Sequence, residues 1–99
     1  MNIIDFILQS SKPQRLPVAV YPGILLTGCT VREMTSDWTI QLKAIKALQA
    51  RYKSPFALTA MDLSVEAETF GAKVLFSENE VPTIDGRLLT NAEDIEKVK

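Results

Sequence analysis

The chain has 99 residues, of which 46% are hydrophobic, and a formal net charge of −1. This composition is typical of a globular protein, and it excludes a disordered chain or a basic nucleic-acid-binding surface. The longest apolar run, VAVYPGILLTGCTV, is interrupted by Pro22 and Gly23. It is shorter than the roughly 20 apolar residues of a membrane-spanning helix, so the sequence predicts no membrane segment.

The N-terminus and the cysteine content favour a cytoplasmic protein. The first residues, MNIIDFILQSSK, contain Asp5 and lack the basic segment and cleavage site of a secretory signal. Cys29 has no second cysteine with which to form a disulfide, and we expect it to be a small buried hydrophobe. Because the chain contains no histidine, we expect it to bind no metal by itself.

The first 30 residues predict one helix and one strand. NIIDFILQS has apolar residues at positions 3, 4, 7 and 8, which is the pattern of a short amphipathic helix. VAVYP, which Pro17 precedes and Pro22 ends, predicts a short buried strand near residues 17–21. GILLTGC is apolar and contains two glycines, so we interpret it as a partly buried loop.

The next segment predicts the longest helix. Thr30 and Glu33 have the spacing of a capping box, and Ser36 offers a second start. Large apolar residues then recur at helical spacing up to Pro55, which ends the helix. We expect this stripe to lie in the core: Trp38, Leu42, Ile45, Leu48 and Tyr52.

The second half predicts two more strands and two short helices. PFALTAM gives a strand at residues 56–61, and KVLFS gives one at residues 73–76. The segment KVLFSENEVPTI also fits a hairpin that turns at SENE. Ser64 is placed to cap a helix that Gly71 ends in a left-handed conformation.

The last residues predict a turn and a helix start. Asp85 and Gly86 form the turn, and Thr90 with Glu93 has the spacing of a second capping box. The alternation of helices and strands predicts an α/β fold with parallel strands and crossover helices. Three strands are too few to close an eight-stranded TIM (β/α)8 barrel of about 250 residues. We therefore expect residues 1–99 to be a truncated N-terminal fragment of a single barrel domain that self-associates.

Two stretches carry a family resemblance. LPVAVYPGILLTG and MDLSVEAETFGAKVLFSENEVPTI resemble the uroporphyrinogen decarboxylase superfamily, and within it the cobalamin-dependent methyltransferases. The resemblance covers nearly the whole chain. It implies the N-terminal part of an enzyme that moves a methyl group from a methylated corrinoid protein to a thiol such as coenzyme M, with zinc bound elsewhere in the enzyme.

The resemblance also implies candidate site residues. Asp62 matches a strand-end acid that faces the substrate in the family, so it is the expected catalytic and substrate-binding residue. Tyr21 and Glu66 are expected to bind substrate beside it, with the PGILLTG loop lining one wall. The alternative for Asp62 is a structural role in the turn that begins the SVEAETF helix, and Glu66 and Glu68 also fit solvated helix charges.

Two other functions stay open. A uroporphyrinogen decarboxylase of porphyrin biosynthesis is one, although the family's paired arginines are represented by Arg32 alone. The methyltransferases take their zinc from a His-x-Cys motif and a later cysteine, which are absent from these 99 residues. The other open function is that of a short non-catalytic relative, which acts as a binding or assembly module and is covered by a partner chain or a second copy.

Overall fold

A computed structural model describes residues 2–98 of the chain. Two strands of two residues each, β1 (Val74–Leu75) and β2 (Thr83–Ile84), form one antiparallel pair in which Val74 lies opposite Ile84. The remaining elements are helical: α1 (Ile3–Gln9), α2 (Gly23–Thr27), α3 (Val31–Ser36), α4 (Trp38–Tyr52), α5 (Val65–Thr69) and a 3₁₀ helix (Ala92–Lys97).

Side-chain caps set the limits of α3 and α4. The predicted capping box is confirmed, since the Glu33 N–H donates to Thr30 Oγ1 at 3.1 Å and the Thr30 N–H donates to Glu33 Oε2 at 2.8 Å. The next helix begins after Asp37 rather than at Ser36, because Asp37 Oδ1 accepts the Thr39 N–H at 2.7 Å. The helix α4 ends before Pro55, as predicted, and it ends with Lys53 in a left-handed conformation (φ 50°).

The core lies where α2 and α3 pack against α4. Its buried members are Val20, Met34 and Ala44, and Met34 is 0% exposed. Gly23 allows α2 to approach α4 closely, because a Cβ at this position would lie only 2.8 Å from the Ala44 Cβ. The buried face of α4 therefore centres on a small residue.

The predicted core stripe on α4 is wrong in its composition. Trp38 is 76% exposed, and Leu42 and Tyr52 are also exposed, whereas Ile45 and Leu48 are half-buried. The close approach of Gly23 selects the side of the helix that carries Ala44, with Ile40 and Ile45 beside it. The helical spacing of large apolar residues could not indicate this choice, because the contact depends on two small residues.

The predicted parallel α/β barrel fragment is contradicted. The sheet among residues 2–98 is the antiparallel β1–β2 pair, and it corresponds to the hairpin alternative for KVLFSENEVPTI. Seven residues separate Leu75 from Thr83, and a parallel pair needs a crossover of a dozen or more. The short connection therefore dictates the antiparallel pairing.

The expected strands at residues 17–21 and 56–61 contain no ladder hydrogen bonds in the described structure. Local bonds occupy several of the backbone groups that a ladder would use. The carbonyls of Val20 and Tyr21 accept the N–H groups of Gly23 and Ile24 in the first turn of α2, which replaces the expected GILLTGC loop. Phe56 bonds to the Ser54 hydroxyl through both its N–H and its carbonyl.

The C-terminal elements differ in detail from the prediction. Gly71 adopts the expected left-handed conformation (φ 97°) after α5, but the Ser64 side chain does not cap this helix. The final capping box joins Asn91 and Asp94 rather than Thr90 and Glu93. Thr90 instead donates its hydroxyl to Asp94 at 2.7 Å.

A large part of the apolar surface is exposed. The accessible area is 7874 Å², whereas a folded monomer of this mass would expose about 5,600 Å². The radius of gyration is 17.8 Å, against about 13 Å for a compact chain of this length. Among residues 2–98, the helices are too short or too polar to cross a membrane.

Candidate functional site

Tyr21 and the segment that contains Asp62 meet at one edge of the core. Tyr21 is half-buried against the core cluster, immediately before α2. Its hydroxyl donates to the Met61 carbonyl oxygen at 3.3 Å, across 40 residues of sequence. The structure therefore brings two of the three predicted site residues into one neighbourhood.

Asp62 also has a structural role. Its Oδ1 accepts the Ser64 N–H at 2.9 Å and the Ser64 hydroxyl at 2.5 Å. Ser64 is 3% exposed, so these bonds satisfy polar groups that would otherwise be buried without partners. The turn before α5 is therefore held by Asp62, which is the structural alternative that the sequence left open.

The two oxygens of Asp62 have different surroundings. Both hydrogen bonds to its carboxylate within the described chain end on Oδ1. A carboxylate has about four acceptor positions on its two oxygens. Asp62 can thus hold the turn through Oδ1 and accept a further hydrogen bond through Oδ2.

The electrostatic environment links Tyr21 to Asp62. Burial raises the pKa of the Tyr21 phenol above its usual value of 10.0, and the negative charge of Asp62 raises this pKa further. Tyr21 therefore stays protonated at neutral pH and remains a hydrogen-bond donor. Together, the pair presents one neutral donor and one carboxylate on adjacent parts of the chain.

Gln41 positions this site and was missed in the sequence. Its Nε2 donates to the Met34 carbonyl at 3.3 Å, and its Oε1 accepts the Ala60 N–H at 3.4 Å. These two bonds connect α3, α4 and the segment that leads to Asp62. The sequence signal that could have indicated this role is the position of Gln41, a polar residue three positions before Ala44 on the helix face that packs against the core.

The structure does not bring Glu66 into the site. Glu66 is exposed in the first turn of α5, and among the described residues its side chain makes no hydrogen bond to Tyr21 or Asp62. Glu68 is exposed as well. Arg32, the single arginine near the first predicted strand, pairs with Glu78 at 3.4 Å on an exposed surface.

The residues present do not fit the zinc that the resemblance implies. Within residues 2–98, no three His, Cys, Asp or Glu side chains are grouped so that they could hold a metal ion. Cys29 is half-buried rather than fully buried, and its Sγ shares a hydrogen bond of 3.1 Å with Thr27 Oγ1. Zinc ligands would have to come from outside these residues.

Comparisons of the chain with known proteins identified no relative. No protein-family model matches the chain. No curated protein matches it, and no solved structure matches it.

Proposed function

We propose that this chain is the N-terminal part of a corrinoid- and zinc-dependent methyltransferase that transfers a methyl group from a methylated corrinoid protein to a thiol such as coenzyme M. The observation that supports this proposal is the hydrogen bond from the Tyr21 hydroxyl to the Met61 carbonyl. It joins the two stretches that resemble the family, and it does so between Tyr21, which is expected to bind substrate, and the residue before Asp62.

In this proposal Asp62 and Tyr21 bind and orient. Asp62 Oδ1 holds the turn through Ser64, while Oδ2 accepts a hydrogen bond from the substrate or from a neighbouring catalytic group. Tyr21 supplies a phenol that burial and the Asp62 charge keep protonated. Zinc would supply thiol activation from ligands elsewhere in the enzyme, and the corrinoid would arrive on a partner protein.

A porphyrinogen decarboxylase ranks below the methyltransferase. Carboxylate substrates are held best by bidentate arginines. Arg32 already pairs with Glu78, and residues 17–31 contain no arginine. The paired arginines that would clamp the acidic groups of a porphyrinogen are therefore not present directly after the first predicted strand.

The test uses the full open reading frame that contains this sequence. Its product is assayed for methyl transfer from a methylated corrinoid protein to coenzyme M, with and without Asp62→Asn. Asn keeps an acceptor oxygen for Ser64 but removes the charge, so activity should fall by about a hundredfold or more while the melting temperature changes little. Ser64→Ala is the matched control, because it removes the hydroxyl bond to Asp62 Oδ1 and leaves the charge in place.

Two results would reject the proposal. One is a full-length product without methyl transfer, and the other is an Asp62→Asn variant as active as the parent. Equal losses of activity in Asp62→Asn and Ser64→Ala, in proportion to lost stability, would assign Asp62 to the turn alone.

A second candidate is a non-catalytic assembly module. It is favoured by the small core, since the buried hydrophobic residues within 2–98 are Val20, Val31, Met34 and Ala44. A chain with this much exposed apolar surface needs a covering partner. A reading frame that stops after Lys99 would favour this candidate, whereas one that continues into a His-x-Cys motif would favour the enzyme.

A further inference from the structure

Two segments that belong to no helix or strand border a groove beside α4. Residues 13–17, 19 and 20 line it from one segment and residues 53–58 from the other, and α4 contributes Ile45, Leu48, Gln49 and Tyr52. The groove has a volume of about 730 Å³. This volume alone also suits a small molecule, since ligand pockets commonly measure about 300–1,000 Å³.

The main chain along the groove indicates the shape of the occupant. Residues 13–19 are all exposed and belong to no helix or strand, and within residues 2–98 no backbone hydrogen bond joins them to residues 53–58. Pro13 and Pro17 cannot donate, but the other residues of this segment present both N–H and C=O groups. An added strand satisfies such a row of groups, whereas a compact small molecule reaches only one or two of them.

The charges along the groove indicate the chemistry of the occupant. Arg15 and Lys53 are exposed and line it, and its lining contains no Asp or Glu. Apolar side chains, including Leu16, Phe56 and Leu58, line the same groove. A segment with alternating apolar and acidic side chains would match this pattern.

We propose that this groove binds an extended segment of a partner polypeptide that carries carboxylate side chains. The segment adds as a strand beside residues 14–19, and its carboxylates pair with Arg15 and Lys53. Nucleic acid is a poorer fit, because a backbone of phosphates is normally held by many cations and the chain has a net charge of −1.

The test is hydrogen exchange of the full chain at about 1 μM, titrated with a synthetic heptapeptide in which valine alternates with threonine and glutamate. Residues 14–19 and 57–59 should become protected as the peptide is added, with a dissociation constant in the micromolar range. The same peptide with lysine in place of glutamate should protect them at least tenfold more weakly, because its charges repel Arg15 and Lys53.

Two double variants with the same change in net charge distinguish a charge effect inside the groove from one elsewhere on the surface. Arg15→Glu with Lys53→Glu should weaken the acidic peptide by about tenfold or more. Lys46→Glu with Arg87→Glu, both exposed and outside the groove lining, should bind it within about twofold of the parent. Circular dichroism checks that each variant keeps its helices. If a double variant unfolds, the single neutral variants Arg15→Gln and Lys53→Gln replace it, and each should bind the acidic peptide more weakly than the parent does.

Several outcomes would overturn the proposal. One is that the lysine peptide protects the chain as strongly as the glutamate peptide does. Another is that neither peptide protects it up to about 1 mM, which corresponds to a negligible affinity. A third is that protection is confined to residues outside the groove. Protection of residues 17–21 and 56–61 without peptide would show that the two segments pair directly and leave no room for a strand. Stronger binding of a single-stranded oligonucleotide than of the acidic peptide would assign the groove to nucleic acid.

Discussion

Gly23 packs directly against Ala44, with space at its α-carbon for hydrogen alone. A Cβ at position 23 would lie 2.8 Å from the Ala44 Cβ and 2.9 Å from the Ala44 carbonyl oxygen. The second of these atoms belongs to the backbone of α4 and cannot rotate away. The contact between α2 and α4, on which the position of Tyr21 depends, therefore requires glycine here.

Gly23→Ala should therefore destabilise the chain even though alanine is the better helix former. Overpacking a close contact costs about 1–3 kcal/mol, which exceeds the gain of about 1 kcal/mol from helix propensity. Urea unfolding followed by circular dichroism measures the change. Leu25→Ala, at a position of α2 that is 85% exposed, is the control and should change the free energy of unfolding by less than about 0.5 kcal/mol. Equal stability of Gly23→Ala and the parent would contradict the close approach.

Gln41→Leu should release the segment before Asp62. The substitution keeps the size of the side chain but removes the bonds to the Met34 carbonyl and the Ala60 N–H, at a cost of about 1 kcal/mol. Amide exchange at Ala60, measured by NMR, should become faster. Gln41→Glu is the control, because it keeps an acceptor for Ala60 and should preserve most of the protection there. Unchanged exchange in Gln41→Leu would remove Gln41 from the site.

The start of α4 should loosen in acid. Hydrogen bonds from the Thr39 hydroxyl and N–H are the largest causes that lower the pKa of Asp37 below its usual 3.8. Because the folded-state pKa is lowered, the cap contributes its full stability above pH 3.8 and loses it as the pH falls through the folded pKa. The protection factors of the Thr39 and Ile40 amides, which correct for the intrinsic pH dependence of exchange, should fall over that range.

Asp37→Asn is the control for this acid dependence. Asn is also a good N-cap and does not titrate, so the protection factor of the Thr39 amide should then stay constant over the same pH range. A parent and a variant with the same pH profile would show that Asp37 does not hold the cap.

The exposed apolar surface should make the isolated chain self-associate at tens of micromolar. Sedimentation velocity measures the size distribution. Leu8→Glu with Leu25→Glu, at two highly exposed positions, should reduce association. Ser11→Glu with Ser77→Glu adds the same charge at exposed polar positions and should have little effect. A parent that sediments as a clean monomer would contradict this expectation.

Local signals in the sequence were sufficient for much of the helical structure. The Thr30–Glu33 box, the end of α4 before Pro55 and the left-handed Gly71 all follow from hydrogen bonds or backbone preferences within a few residues. The interpretation of the strands failed because apolar composition does not specify a partner. Ser54 satisfies Phe56, and the first turn of α2 satisfies Val20 and Tyr21.

The roles of the candidate site residues stay predictions, and the structure brings part of the set together. The family resemblance selected Tyr21 and Asp62, and the structure places them together. It also selected Glu66, which lies in an exposed turn of α5. Gln41 was missed because its role depends on the Gly23–Ala44 contact, which decides the buried face of α4 and involves two small residues.

The relation between Tyr21 and Asp62 is tested most directly by the pKa of the Tyr21 phenol. Tyr52→Phe leaves Tyr21 as the only tyrosine, so its ionisation can be followed by the absorbance of tyrosinate as the pH rises. Adding Asp62→Asn to this background removes the negative charge that raises the pKa, while burial, the larger cause, remains. The account predicts that the Tyr21 pKa decreases in the double variant but stays above 10.0, the usual value. An identical Tyr21 pKa with Asp and with Asn at position 62 would contradict the claim that these two residues form one site.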